Sequence, residues 1–305
     1  MSIPYNLIVI LGPTASGKTS VAANLASRIG GEIISADSRQ VYRRLNLGTG
    51  KDYDDYVLDG LNIPYHLIDI AEPGTQYNVF EYQKDFVPVF EDVCKRGKTP
   101  ILCGGSGLYI EAVIQGYKLI HVPVNQPLRD QLESKSLEEL IDILASYKNI
   151  HNNSDIENKK RAVRAIEIEE YYSHHPEIDF SYPEIRPILI GVRYERTTER
   201  DRITERLKQR LNNGMIAEVE DLLKAGNTPE QLIYYGLEYK FLIRYATGEI
   251  SYDEMFAGLN TAIHQFAKRQ MTWFRRMESQ GMKIHWIECQ LSMEEKLERL
   301  MNLIG

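Results

Sequence analysis

The sequence predicts an α/β protein: a P-loop NTPase-like parallel sheet covered by helices, with a helical insertion domain. Three observations predict it. Short apolar runs bounded by turn residues alternate with helical patterns. A glycine-rich phosphate loop follows the first of these runs. One connection is long, helical and without a convincing strand.

The apolar runs read as buried parallel strands at residues 7–11, 32–35, 65–68, 100–103, 188–192 and 284–287. Helical patterns between them place helices on both faces of the sheet. Between Cys103 and Ile188 the pattern changes. Two helical stretches, 128–147 and 158–172, fill the gap, and Pro-containing segments at 122–127 and 174–187 mark its ends. The expected organisation is a catalytic core of residues 1–112 and 187–305 with an insertion domain of 113–186. After Val192 the chain is strongly helical up to Lys283.

With 305 residues, 43% hydrophobic and 26% charged, the chain is long enough and apolar enough to bury a large core. A net charge of −7 argues mildly against nucleic acid, but a local basic surface can bind RNA on an acidic protein. Cys94, Cys103 and Cys289 are odd in number and form no C-x-x-C pair. A zinc site or disulfide framework is therefore not expected, and a reducing cytoplasm is. The apolar N-terminal run lacks a basic start and a cleavage site, so it reads as a strand and not as a signal peptide. No run approaches the ~20 apolar residues of a membrane span.

The strongest motif is Gly12-Pro13-Thr14-Ala15-Ser16-Gly17-Lys18-Thr19, which matches G-x-x-x-x-G-K-[ST] between a strand and an Ala-rich helix. Backbone N–H groups and the helix dipole converge on one anion. Lys18 adds a point charge, and the Thr19 hydroxyl is placed to ligate Mg²⁺. The loop specifies a diphosphate or triphosphate, not the chemistry that follows.

Two strand ends fall on the same edge, where open parallel sheets bind ligands. The first is Ser35-Ala36-Asp37-Ser38-Arg39-Gln40. Asp37 reads either as a proton acceptor or as a helix cap. The second is Gly104-Gly105-Ser106-Gly107, either a ligand-approaching turn with a hydroxyl or a tight strand-to-helix turn. His66-Leu67-Ile68-Asp69 is a candidate strand ending in an Mg²⁺-supporting carboxylate, with a turn cap as the alternative. A guanine-reading N-K-x-D segment is missing, since Asn158-Lys159-Lys160-Arg161 lacks the Asp.

Taken together, GPTASGKT, SADSRQVY, HLIDI and GGSGLY, in this order and spacing, resemble the tRNA dimethylallyltransferase (tRNA isopentenyltransferase) family. Lys160-Arg161-Ala162-Val163-Arg164-Ala165-Ile166-Glu167, residues 248–255 and residues 267–276 resemble its later signatures. The resemblance implies transfer of a dimethylallyl group from dimethylallyl diphosphate to N6 of the adenosine 3′-adjacent to the tRNA anticodon. It implies Asp37 as the base, with Lys18 and Ser106 as further catalytic groups. Residues 12–19 with Mg²⁺ at Thr19, and Arg161 and Arg164, would hold the diphosphate. Asp37, Ser38, Arg39, Gln40, Ser106, Arg129, Lys160, Arg161 and Arg164 would meet the tRNA, and the insertion would grip the anticodon stem. Ser106 stands where the family usually has Thr. Tyr235-Gly236-Leu237-Glu238-Tyr239-Lys240 departs from the family's G-Y-[KR] stretch and reads equally as helix start and packing.

Arg193–Arg210 reads as a solvated helix laced with ion pairs. The 251–277 helix should start at a Ser251/Glu254 capping box. Met255, Leu259, Phe266, Trp273 and Met277 form its apolar stripe, with Lys268 and Arg275 on a cationic face that reads either as a phosphate-backbone contact or as a solvated surface. A cytoplasmic monomer that avoids membranes and meets a tRNA anticodon stem-loop is the expected setting. A prenyltransferase acting on free nucleotide, a P-loop kinase and a non-catalytic RNA-binding or nucleotide-switch protein stay open.

Overall fold

The computed structural model describes residues 4–148, 153–175 and 181–305. The described residues form two compact units: residues 1–117 with 183–305, and 118–182.

The larger unit is a parallel sheet between two helical layers. In chain order its elements are β1 (Leu7–Leu11), α1 (Lys18–Ile29), β2 (Glu32–Ser35), a small antiparallel hairpin of β3 (Val57–Leu58) and β4 (Leu61–Asn62), and β5 (Tyr65–His66). Then come α2 (Val79–Lys95), β6 (Pro100–Gly104) and α3 (Gly107–Ile114). The sheet order is β5-β2-β6-β1-β7-β8, where β7 is Pro187–Arg193 and β8 is Ile284–Glu288. Alternation along β1 explains the layering. Ile8 and Ile10 face a core that includes Val21, Ala22 and Leu25 of α1, whereas Leu7, Val9 and Leu11 face Tyr82, Phe86 and Phe90 of α2. Strands buried on both faces read as unbroken apolar runs, which is why the pattern was legible. β5 stops at His66, short of the expected 65–68, because Leu67 and Asp69 take left-handed φ of 61° and 56°.

The smaller unit holds α4 (Gln126–Glu133), α5 (Leu137–Tyr147) and α6 (Lys159–His174). The single helix expected over 128–147 is two helices. Ser136 caps α5 in a capping box with Glu139, giving the chain a fresh N-terminus there. Leu132, Leu140, Leu144, Ala162, Ala165 and Ile166 form its own small core. Beside that core, buried Glu167 accepts from Arg129 Nε at 3.0 Å and Nη2 at 2.9 Å, from Arg164, and from the Asn125 amide. Burial alone would raise the Glu167 pKa, but Arg129 and Arg164 outweigh it and hold it at about 2. The carboxylate therefore stabilises the fold above its unfolded pKa of about 4.3, and that contribution is lost as pH falls from there through about 2. Glu167→Ala should cost about 2–3 kcal/mol in thermal unfolding at neutral pH, less than a fully dry pair because both arginines are partly solvated. The deficit should narrow as pH falls towards 2.

The rest of the larger unit is helical: α7 (Arg196–Asn212), α8 (Met215–Lys224), α9 (Pro229–Ile233), α10 (Leu237–Ala246), α11 (Tyr252–Ser279) and, after β8, α12 (Met293–Ile304). The Ser251/Glu254 capping box starts α11. Its buried stripe runs Met255, Leu259, Ile263, Ala267, Gln270, Met271, Phe274 and Met277. Of the expected stripe, Met255, Leu259 and Met277 are buried, whereas Phe266 is 40% exposed and Trp273 is partly buried.

Candidate active site

The phosphate loop joins β1 to α1. Gly17 at φ 76° occupies the left-handed region where a side chain would be strained, and this turn starts α1. Lys18 folds back so that Nζ donates to the Pro13 carbonyl at 3.2 Å. Burial lowers the Lys18 pKa, against the pull of nearby groups that include Asp37. An ammonium short of solvation and counter-charge is suited to an incoming anion.

The loop opens into a cavity of about 470 Å³. Thr14, Lys18, Thr19, Asp37, Ser38, Arg39, Gln40 and Ser106 all line it, so the structure brings these sequence-predicted residues together. Asp37 caps no helix. Its Oδ1 accepts from the Arg39 amide at 2.9 Å in a short turn after β2. Ser106 is the N-cap residue of α3, but its hydroxyl makes no cap bond to the helix. Its Oγ accepts from the Ser38 amide at 3.0 Å and donates to Ser38 Oγ at 3.3 Å, pinning the two strand ends to each other. Gln40 donates to the Gly50 carbonyl at 3.0 Å.

Several expectations need correction. Asp69 does not support a metal at this cavity. Its carboxylate accepts from the side chains of Lys51 and Tyr53, so it caps no turn amide either. The paired glycines also pack tightly on their own chain, since a Cβ at Gly104 would strike the Ala36 carbonyl and one at Gly105 the Gln270 side chain, while Gly104 still lines the cavity. In the 235–240 segment, buried Tyr235 and Tyr239 pack as a helix start would require, while Gly236, Glu238 and Lys240 line the cavity. The 193–210 helix is not only a solvated surface either. Arg206 and Arg210, one turn apart on α7, line the cavity. Arg206 donates to Thr14 Oγ1 at 3.4 Å, and Arg202 to the Ala15 carbonyl at 3.4 Å.

Sequence reasoning missed those arginines and Gln270. Gln270 is buried in α11, where Oε1 accepts from the Thr14 amide at 2.8 Å and Nε2 donates to the Gly105 carbonyl at 2.9 Å. One side chain thus ties the phosphate loop to the β6 turn. The i, i+4, i+8 spacing of Arg202, Arg206 and Arg210 was the available signal. For Gln270 the signal was a lone amide in an apolar stripe.

The remaining predicted residues lie elsewhere. Lys268 and Arg275 are exposed on the outer face of α11. Arg129, Lys160, Arg161 and Arg164 belong to the smaller unit. There Arg129 and Arg164 hold Glu167, and Arg161 pairs with Glu157 at 2.7 Å.

A phosphate loop at the carboxyl edge of a parallel sheet, with arginines and a carboxylate in one cavity, defines a P-loop protein built for group transfer from a diphosphate or triphosphate. The IPP transferase family model matches residues 40–277, and the isopentenyl transferase model residues 5–69. The chain belongs to the IPP transferase family. It is 59% identical over 298 residues to tRNA dimethylallyltransferase 2 of Bacteroides fragilis (strain YCH46), covering 97% of each chain. It is 58% identical over 302 residues to tRNA dimethylallyltransferase 1 of Parabacteroides distasonis, covering 99% of this chain and 98% of that one. Among solved structures, the tRNA isopentenylpyrophosphate transferase of Bacillus halodurans superposes with TM-score 0.72 at 31% identity, over 98% of this chain and 95% of that one.

Proposed function

We propose that this chain transfers a dimethylallyl group from dimethylallyl diphosphate to N6 of the adenosine 3′-adjacent to the anticodon in tRNA and releases diphosphate. The carrying observation is that one cavity joins an anion-binding loop, with Lys18, Arg206 and Arg210, to a carboxylate at Asp37. Its relatives, at up to 60% identity, are named for this reaction.

In this reading the N6 lone pair forms the new bond to C1 of the prenyl chain as the C1–O bond breaks. The electron pair of that bond leaves with diphosphate, and Asp37 takes the amine proton. Lys18, Arg206 and the amides at the C-terminal end of the loop, residues 17–19, stabilise the negative charge that grows on the leaving group. Ser106 fixes the turn that carries Asp37 and Ser38. The adenine leaves its stack to enter the cavity, with Arg39 and Gln40 at the wall.

The donors fit magnesium. The Thr19 hydroxyl offers a hard oxygen at the cavity, whereas burial pushes the Cys103 thiol up to about 12, so it offers no thiolate. Bound with the substrate, Mg²⁺ would offset charge on the diphosphate oxygens.

The helical unit would track the anticodon stem by shape and backbone, with Lys160 and Arg161 as phosphate contacts alongside Lys268 and Arg275. Arg129 and Arg164 would reach RNA only with donors left over from Glu167. The chain is proposed to act as a monomer. Among the described residues no helix is long and apolar enough to cross a membrane, and a tRNA substrate places the reaction in the cytoplasm.

Mass spectrometry of nucleosides from tRNA incubated with the protein and dimethylallyl diphosphate tests this reading. A prenylated adenosine is expected from tRNA and none from free AMP. Prenylated AMP with untouched tRNA would overturn it.

A further inference from the structure

Asp52 belongs to no motif in the sequence, yet its carboxylate is shared by two cavity arginines. Arg206 donates Nη2 to it, and Arg210 donates Nη2 to Oδ1 at 3.0 Å. Both arginines line the cavity and Asp52 does not, so the guanidiniums back onto Asp52 and meet the cavity on their other side. The loop bearing Asp52 is tied down on its N-terminal side. Glu218 accepts from the amides of Asn46, Leu47 and Gly48 at 3.0, 2.7 and 3.0 Å, and buried Lys51 donates to the Tyr42 carbonyl and Asp69. An anion held in this way is not free to swing aside when another anion arrives.

We propose that Asp52 is a positioning residue whose fixed charge sets the grip of the site on diphosphate. It orients Arg206 and Arg210 and leaves the cluster of Lys18, Arg206 and Arg210 one unit less positive. That restrains binding of the multiply charged product and lets it leave. A site with one more unit of positive charge would hold diphosphate too firmly for rapid turnover, because that charge acts on every phosphate oxygen at short range. The inference rests on the reading of the phosphate loop as the diphosphate site.

The test is calorimetric binding of inorganic diphosphate, with magnesium, to the full chain and to two variants. Asp52→Asn keeps an acceptor oxygen and nearly the same volume but drops the charge. It should bind diphosphate about tenfold tighter, with a steeper salt dependence. Its steady-state kcat should fall while a rapid first turnover persists, the sign of slowed product release. Asp52→Glu keeps the charge and should bind close to the unaltered protein. Equal or weaker binding by Asp52→Asn overturns the assignment of Asp52 alone. Failure of the unaltered protein to bind diphosphate at all overturns both this inference and the reading of the loop.

Discussion

Asp37→Asn should lower kcat by about 10²–10⁴, the usual contribution of a positioned general base, with binding of inorganic diphosphate nearly unchanged. Asparagine is the informative replacement. Asp37 Oδ1 holds the turn after β2 by accepting from the Arg39 amide at 2.9 Å, and an asparagine oxygen makes the same bond. The variant therefore keeps the turn, and with it the Ser38–Ser106 contact, while losing the group that takes a proton. Asp37→Ala loses both. If proton acceptance is the role, the two variants should be similarly slow. If turn formation is the role, Asp37→Asn should stay near full activity, and steady-state rates on tRNA would show it.

The sheet was legible because its strands are buried on both faces and bounded by turn residues, so apolar runs alone located β1, β2, β6, β7 and β8. Only β5 was overrun: Leu67 and Asp69 leave the extended region, and nothing in an apolar run forecasts a left-handed φ. The phosphate loop, Asp37 and Ser106 were legible because each follows a strand closely, and the carboxyl ends of parallel strands share one edge. Arg206, Arg210 and Gln270 were not, because they reach that edge from helices far along the chain. Their place depends on how α7 and α11 pack, which local pattern does not encode. The α11 stripe was only partly legible for a related reason. Phe266 and Trp273 are apolar, but the buried face centres on Ile263, Gln270 and Phe274, and the buried amide of Gln270 hides that centre from a count of apolar residues.

Lys18→Ala should separate stability from activity most sharply. Burial lowers the Lys18 pKa, so folding places the ammonium where its charged form is disfavoured relative to the unfolded chain. The sign follows from linkage. Between the lowered folded pKa and lower pH, the charged lysine subtracts from stability, and that cost is relieved as pH rises through the folded pKa. Removing the side chain should therefore leave the melting temperature at neutral pH unchanged or higher, though the Pro13 carbonyl loses its partner. Activity should move the other way. The same charge is well placed only when diphosphate oxygens meet it, and their negative charge grows as the prenyl carbon departs. Losing one preorganised donor to such charge costs about 10²–10³ in rate. The measurements are thermal unfolding across pH beside single-turnover prenylation of tRNA. A variant that is less stable yet nearly as fast would make Lys18 a structural clasp of the loop and remove it from the chemistry.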